Sequence, residues 1–230
     1  MSIWYLGSVN GNASRASAWD YNASYTVGGW IRFPAFDAGF HNIFAVYLDN
    51  SNNDALVLRD VNVMSFVEKE GGVENISSGA SASATTLSAN TDYWLGLVRN
   101  GLNLSMYLGT TPANIALDVG PLTGAATGRS AATNVQFGRG PGGAETGLSI
   151  MMEEWRAWTT NLSLAEMKVE AASRYAVKTA NLWGDWRMPS EWNLQDVSGN
   201  ARHLTAGGTL SGGRNVPGGS PQASGSIIGL

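Results

Sequence analysis

Two adjacent carboxylates, Glu153 and Glu154, open the stretch EEWRAWTTNLSLAEMK, and aromatic residues follow them directly. Paired carboxylates are the groups that glycoside hydrolysis requires, one as the acid and the other as the nucleophile or base. Both must face one cleft, about 5 Å apart in a retaining enzyme and further apart in an inverting one. Because successive side chains of a regular strand point to opposite faces, the sequence predicts that this adjacent pair is not catalytic.

The tryptophans of the same stretch, Trp155 and Trp158, are candidates for carbohydrate binding. Their spacing places them on opposite faces of a regular strand, so one can lie between two sheets while the other points outward. An outward Trp could stack on a sugar ring or on a partner protein. The alternative, which the pattern favours, is that both rings pack in a core or beneath a covering helix.

One loop offers oxygen ligands of the kind that calcium prefers. The run DNSNND contains Asp49 and Asp54 with amide side chains between them. Calcium takes about six to eight oxygen ligands, which a hairpin loop alone rarely supplies, and the spacing of an EF-hand loop is absent. We therefore expect no cofactor and favour a hairpin tip whose side chains bond to local backbone groups, with calcium at these two aspartates as the alternative.

The C-terminal stretch combines a Gly/Ser/Pro-rich stem with an apolar tip. Ile227, Ile228 and Leu230 form that tip, at the end of residues 207–230. An apolar tip on a flexible stem could add a strand to another protein or fill its groove, so these three residues are candidates for partner anchoring. A tail that folds back onto its own domain is the alternative, and the sequence does not decide between the two.

Composition and charge narrow the classes of function. Charged residues are only 14% of the 230 residues, and Gly and Trp are abundant, which is typical of a turn-rich β protein with an aromatic core. A net charge of -4 without a run of Lys or Arg argues against a nucleic-acid partner. The absence of cysteine excludes disulfides and thiolate metal sites. The first residues lack a signal-peptide pattern and no window matches a membrane helix, so we expect synthesis in a cytoplasm and no membrane partner.

Short alternating segments separated by turn signals fill most of the chain, a pattern that predicts an antiparallel sandwich or barrel. Asn100-Gly101 lies between two alternating runs and predicts a tight hairpin. Gly71-Gly72 predicts another hairpin, because glycine readily supplies the positive φ that a tight turn needs.

One helix interrupts the β pattern. Ser163 and Glu166 have the S-x-x-E spacing of a capping box, and Leu162 precedes the cap where it can form a hydrophobic staple with Met167. The buried stripe of this helix is predicted to contain Leu164, Met167, Ala171 and Tyr175.

The order of three segments resembles a known family. They are YTVGGWIRF, TDYWLGLVRNGLNLSMYLG and EEWRAWTTNLSLAEM. Together they are similar to the laminin-G-like, pentraxin-like branch of the concanavalin A-like lectin and glucanase superfamily, over roughly residues 20–175. The resemblance implies an all-β jelly roll of two antiparallel sheets, here with one short helix after a late strand. Members bind glycans, use calcium, hydrolyse glycosides or serve as structural proteins, and the glucanase motif E-x-D-x-x-E is absent from this sequence.

One segment departs from the family order. The run WRMPSEWNLQDVSGNARHLT resembles a segment that opens the domain in many members, but here it comes near the end. It could be a closing strand that takes the same place in the sandwich, or the boundary could be circularly shifted. We expect one laminin-G-like domain over residues 1–206, followed by a tail over residues 207–230.

These observations predict a non-enzymatic structural and binding protein of a bacteriophage virion, either a capsid decoration or a tail or fibre component. The virion assignment follows from composition and from the similarity to laminin-G-like domains of phage surface proteins. Expected partners are a capsid or tail protein, surface glycans and other copies of the chain. A carbohydrate-binding lectin or adhesin is the first alternative, and a glycoside hydrolase is the second.

Overall fold

The computed structural model describes residues 12–19, 24–37, 39–124, 132–138, 150–188 and 194–207. Within these ranges the chain forms strands joined by short connections, one α-helix and a 3-10 turn at Pro112–Asn114. The strands are β1 (Asn12–Trp19), β2 (Tyr25–Arg32), β3 (His41–Asp49), β4 (Asn52–Arg59), β5 (Val63–Glu70), β6 (Val73–Ile76), β7 (Asp92–Asn100), β8 (Asn103–Gly109), β9 (Ala116–Thr123), β10 (Ala132–Phe137), β11 (Met151–Trp158), β12 (Leu182–Trp186) and β13 (Thr205–Gly207). The helix is α1 (Leu164–Ala172), and no described helix is long and apolar enough to cross a membrane.

The strands form two antiparallel sheets that pack face to face. One sheet has the order β13-β1-β10-β3-β4-β5-β6, and the other has the order β12-β11-β2-β7-β8-β9. The predicted fold class is confirmed, since the chain is a two-sheet antiparallel jelly-roll sandwich with one short helix after a late strand. The helix follows β11, at the position that the capping pattern predicts.

The core between the sheets is built from the inward residues of both, as strand alternation requires. Tyr25, Val27 and Trp155 are fully buried there. Trp155 lies against Gly29, where an added Cβ would come within 2.6 Å of the indole ring. Glycine is therefore needed at this position of β2, and truncation of Trp155 to Ala should cost about 3–5 kcal/mol.

A second apolar layer lies on the outer face of the six-stranded sheet. Trp30, Trp94 and Trp158 are buried there in one cluster with Met167 of α1. The Trp30 indole N–H donates to the Ala171 carbonyl oxygen at 3.2 Å, which ties the sheet to the end of the helix. The short helix is therefore held mainly by tertiary packing, as is usual for helices of this length.

The local signals for α1 are only partly borne out. Ser163 and Glu166 form the predicted capping box, with the Ser163 backbone N–H donating to the Glu166 carboxylate at 2.8 Å. Met167 and Ala171 are buried as predicted. Leu164, the first residue of the helix, is exposed. Tyr175 is also exposed, because the helix ends at Ala172 and the stripe does not continue beyond it.

Both predicted hairpins form. Gly71 and Gly72 take positive φ of 57° and 82° between β5 and β6. In the second hairpin, β7 continues through Asn100, so the two turn residues are Gly101 and Leu102 and only Gly101 has positive φ. The turn is therefore one residue later than the Asn-Gly pair suggests.

The late segment that departs from the family order spans both sheets. It runs from Trp186, the last residue of β12 beside β11 in one sheet, to Thr205, the first residue of β13 beside β1 in the other. Between them the Asp196 carboxylate accepts the backbone N–H groups of Asp185, Ser198 and Arg202 at 2.8–2.9 Å. The segment thus links an edge strand of one sheet to an edge strand of the other, an arrangement compatible with both interpretations of its place in the chain.

Candidate functional site

Both tryptophans proposed for sugar stacking are buried. Trp155 lies between the sheets, where its indole N–H donates to the Trp30 carbonyl oxygen at 3.1 Å. Trp158 lies on the outer face in the cluster beneath α1, and its indole N–H donates to the Lys178 carbonyl oxygen at 2.7 Å. Neither ring can stack on a sugar, so the carbohydrate-binding assignment of these two residues is wrong, and both pack as the alternative predicts.

The two aspartates proposed for calcium lie in different surroundings. Asp49 is exposed at the end of β3, where its Oδ1 accepts from the Ser51 backbone N–H at 2.8 Å. Asp54 is fully buried between the sheets and is paired with Arg99. The structure therefore does not bring Asp49 and Asp54 together as ligands of one ion. The described residues contain no group of three or more acidic or histidine side chains that could hold a metal.

The proposed anchoring residues Ile227, Ile228 and Leu230 lie outside the described residues. Partner anchoring by the tail therefore stays a prediction. The same holds for the division of the chain into a domain over residues 1–206 and a tail over residues 207–230, which rests on the sequence alone.

The paired glutamates lie at a β-bulge. The register of β11 against β2 shifts between Glu153 and Arg156, which leaves one extra residue in β11, and Glu154 has a φ of 55°. Met152 and Trp155 consequently both point into the core, although their odd spacing would separate them on a regular strand. The strict alternation that was expected to separate the two glutamates does not hold here.

A second carboxyl group, that of Asp185 on β12, lies near Glu154. Burial raises the pKa of Glu154, the positive charges of Arg156, Arg174 and Arg187 oppose that rise, and the negative charge of Asp185 adds to it. Burial also raises the pKa of Asp185. Two neighbouring carboxyl groups with raised pKa are a feature of acid–base sites, so the accessibility of this pair decides whether it can react.

One carboxyl group of this pair, that of Asp185, belongs to a buried charge cluster with Arg156 and Glu170. Arg156, Glu170 and Asp185 are each 2% exposed. Arg156 Nη1 donates to the Glu170 carboxylate at 3.1 Å, and its Nη2 donates to the Ser173 carbonyl oxygen at 2.8 Å. These bonds tie the end of α1 to β11. With Asp185 closed to solvent, the cluster offers no cleft in which Glu154 and Asp185 could flank a substrate.

A second buried charge cluster joins the two sheets. Arg99 of β7 places its Nη1 at 3.0 Å from the Asp54 carboxylate of β4 and at 3.1 Å from the Glu68 carboxylate of β5. The Tyr25 hydroxyl donates to Asp54 at 2.8 Å. We name Tyr25, Asp54, Glu68 and Arg99 the Arg99 cluster. Its members come from four strands, which is why no sequence pattern indicated it.

An open groove with a volume of about 600 Å³ lies where β4 turns into β5. We name it the Phe40 groove. Its lining residues are Gly39, Phe40, Arg59, Asp60, Val61 and Ser78. The side chains of Phe40 and Val61 are 43% and 44% exposed, so the groove presents an apolar surface to solvent. An apolar surface with a few polar groups around it is the usual composition of a small-molecule site.

The turn between β4 and β5 holds two residues in the left-handed region. Asp60 has a φ of 48° and Val61 a φ of 71°. Positive φ is a true outlier for a β-branched residue such as Val61. Such a conformation costs on the order of 1–3 kcal/mol and persists only where surrounding structure imposes it, often at ligand sites.

The polar side of the Phe40 groove is an arginine–aspartate pair. Arg59 Nε donates to the Asp60 carboxylate, and Arg59 Nη1 lies 3.5 Å from the Ser78 hydroxyl. The side chain of Asp60 is 64% exposed, so its carboxylate is open to a ligand. A hydrogen-bond donor and an acceptor therefore stand next to each other at the edge of an apolar surface.

Sequence reasoning missed this groove because its parts are distant in the chain. Phe40 precedes β3, the Arg59–Val61 turn follows β4, and Ser78 follows β6. One local signal was available. The connection RDVN joins two strong strand patterns without a glycine or proline, which indicates an unusual tight turn.

Comparisons with known proteins bear on the fold. No protein-family model matches the chain, and no curated protein matches it either. Among solved structures, a candidate carbohydrate-binding protein from Bacteroides ovatus matches with a TM-score of 0.60 and 14% identity, over 92% of this chain and 60% of that one. A Trypanosoma rangeli sialidase mutant with trans-sialidase activity matches with a TM-score of 0.50 and 12% identity, over 66% of this chain and 23% of that one.

A heptameric SAP-like pentraxin from Limulus polyphemus has a TM-score of 0.49 and 14% identity, over 76% of this chain and 83% of that one. The chain spans 60% of the Bacteroides protein and 23% of the sialidase, which is less than two thirds of either. The two matches with TM-scores of 0.60 and 0.50 support the two-sheet β-sandwich fold. At such low identity the likeness extends to the fold and not to the site.

Proposed function

We propose that this protein is a lectin-like binding module that recognises carbohydrate through the Phe40 groove. The observation that carries the proposal is the exposed pair Phe40 and Val61, set beside the polar pair Arg59 and Asp60 in one open groove. A sugar ring has an apolar face that packs on such a surface and hydroxyl groups that need nearby donors and acceptors. The fold shared with a candidate carbohydrate-binding protein supports the same function.

A binding role fits the groove better than hydrolysis does. A glycosidase needs two carboxyl groups that face one substrate. Asp60 is the one carboxylate among the described residues that line the groove. Two pairs of neighbouring carboxyl groups elsewhere do not flank an open cleft, since Asp185 beside Glu154 is buried and both Asp54 and Glu68 are fully buried in the Arg99 cluster.

Glycan-array binding by the purified protein tests this function. Phe40→Ala should weaken binding of any positive glycan at least about tenfold, because it removes most of the apolar surface of the groove. Leu117→Ala is the matched control, since Leu117 is similarly exposed, on β9, and does not line the groove. Equal binding by both variants, or an array without positive glycans for the folded protein, would refute the proposal.

We propose a bacteriophage virion as the setting in which the module works, as a capsid decoration or a tail or fibre component. Support comes from the composition and from the sequence resemblance to phage surface domains. The partner would be a capsid or tail protein, held by the apolar tip Ile227, Ile228 and Leu230. Deletion of residues 217–230 should abolish co-sedimentation of the protein with virions, and unchanged co-sedimentation would rule out the anchoring role.

A further inference from the structure

The hydrogen-bonding capacity of Arg59 and Asp60 is only partly used. A guanidinium has five N–H donors, and Arg59 uses its Nε on Asp60 and its Nη1 on Ser78 at the long distance of 3.5 Å. Its Nη2 has no hydrogen-bond acceptor among the described residues. The Asp60 carboxylate accepts from Arg59 with Oδ2, which leaves Oδ1 without a donor in the described part of the chain. One donor group and one acceptor atom are thus available side by side.

The charges of this pair cancel. Arg59 and Asp60 are the charged side chains among the described residues that line the groove, so the charges of these lining residues sum to zero. A hydroxyl group can accept from Arg59 while a neighbouring hydroxyl donates to Asp60, which matches two vicinal hydroxyls of a sugar. An acidic sugar would bring a second carboxylate towards Asp60, and juxtaposed like charges oppose binding.

The conformation of Val61 points to the same surface. Glycine would adopt its φ of 71° without strain, yet the chain has a β-branched residue whose side chain is 44% exposed. Because so much of this side chain faces solvent in the groove, core packing does not account for its presence. Strain of this kind is typical of ligand-contacting segments.

We propose that the Phe40 groove binds a neutral hexopyranose with two vicinal hydroxyl groups. Arg59 and Asp60 hold the hydroxyls, while Phe40 and Val61 pack against the apolar face of the ring. This inference rests on the proposed function and adds the class of sugar and the residues that select it. Val61 is a specificity-determining residue, kept in a strained conformation for its contact with the ligand.

A panel of methyl hexopyranosides and their uronate counterparts, titrated into the full chain and followed by NMR, tests the sugar class. At least one neutral glycoside should bind about tenfold more tightly than its uronate, and its deoxy analogues lacking one vicinal hydroxyl should bind more weakly. Asp60→Asn should reduce the discrimination against the uronate. Tighter or equal binding of the uronates, with Phe40→Ala still weakening binding, would overturn the sugar class and leave the proposed function intact. No binding of any sugar would refute both.

Val61→Gly tests the role of the strained residue. The variant should unfold at a Tm about 2–4 °C higher, because glycine relieves the strain, and should bind the neutral glycoside about threefold to tenfold more weakly. Val61→Ala removes most of the same contact but keeps a Cβ, which still disfavours the positive φ, so it should weaken binding with a smaller gain in Tm than Val61→Gly. Binding by Val61→Gly that equals the binding of the natural sequence would overturn the role of Val61.

Discussion

An arginine–carboxylate group lies at each end of the paired strands β4 and β5, with its arginine on β7 in one group and on β4 in the other. The two groups differ in nearly every physical respect. At one end the Arg99 cluster is closed between the sheets, and Asp54 and Glu68 are fully buried. At the other end Arg59 and Asp60 pair in solvent at the edge of the Phe40 groove. The same pairing of an arginine with a carboxylate therefore occurs once among buried groups that bond to one another, and once among exposed groups with unused donors and acceptors.

This difference distinguishes residues that stabilise the fold from residues that are available to bind a ligand. Buried charges persist only where partners satisfy them, since removal of one partner leaves an uncompensated charge in a low-dielectric interior. A surface ion pair contributes about 0–1 kcal/mol to stability. Stability therefore accounts for the Arg99 cluster but not for the Arg59–Asp60 pair, and the latter sits on a strained turn that reduces stability. A binding role for the Phe40 groove explains why the chain keeps both features.

The largest expected effect comes from breaking the Arg99 cluster. Arg99→Met should lower the free energy of unfolding by about 3–5 kcal/mol, because Asp54 and Glu68 lose their common cation while they remain buried. Equilibrium unfolding in urea measures the change. Arg59→Met is the matched control at the other end of the same strands and should change stability by less than about 1 kcal/mol. Similar losses in the two variants would remove the distinction between the two ends.

The second prediction concerns a single hydrogen bond inside the Arg99 cluster. Tyr25→Phe removes the hydroxyl that donates to the Asp54 carboxylate at 2.8 Å, and should cost about 1.5–3 kcal/mol, the range for bonds to charged groups. Tyr47→Phe is the control, since its hydroxyl donates to the neutral Gln136 amide oxygen at 2.9 Å, and should cost about 1 kcal/mol. A smaller loss for Tyr25→Phe than for Tyr47→Phe would show that Asp54 does not depend on this donor.

The third prediction asks whether exposed polar groups stabilise the protein when their hydrogen-bonding capacity is fully used. The capping box of α1 is exposed like the Arg59–Asp60 pair, yet Ser163 and Glu166 satisfy each other's backbone groups. Ser163→Ala should therefore lower the free energy of unfolding by about 1 kcal/mol, more than Arg59→Met. Thermal unfolding followed by circular dichroism provides the comparison. If the two variants lose the same free energy of unfolding, the use of hydrogen-bonding capacity would not determine how much exposed polar groups stabilise this protein.

The parts of the fold that the sequence predicts are those with local causes. The Gly71-Gly72 turn and the Ser163–Glu166 cap each depend on a few neighbouring residues, and both form as expected. The predicted buried stripe of α1 reaches too far, to Tyr175, because periodicity alone does not mark where a helix ends. Tertiary contacts, here the bond from Trp30 to Ala171, help to set that limit.

The candidate site has no local cause and could not be predicted. Phe40 and Val61 line one groove only because β3, β4 and β5 pair in one register, which brings separate chain segments to one end of a sheet. The bulge at Glu154 likewise carries no mark in the sequence, and it moves Trp155 to the inner face. Reasoning from strand alternation therefore assumed an incorrect geometry for the adjacent glutamates, and the hypothesis that they are not a catalytic pair stays a prediction.

The smallest expected effect is a pH dependence that compares a half-buried carboxyl group with an exposed one. Burial raises the pKa of Glu154 above its ordinary value of 4.5, so stability is highest where Glu154 is protonated and falls as pH rises through the folded-state pKa. Glu154→Gln cannot ionise and should be more stable than the natural sequence at pH 8, with the difference vanishing near pH 4.

Glu166 provides the opposite sign, because the hydrogen bond from Lys178 lowers its pKa to about 2. Glu166→Gln should therefore be less stable above pH 4.5, and the loss should shrink as pH falls towards 2. Urea unfolding at each pH measures both, and equal signs for the two variants would contradict the assigned surroundings of Glu154.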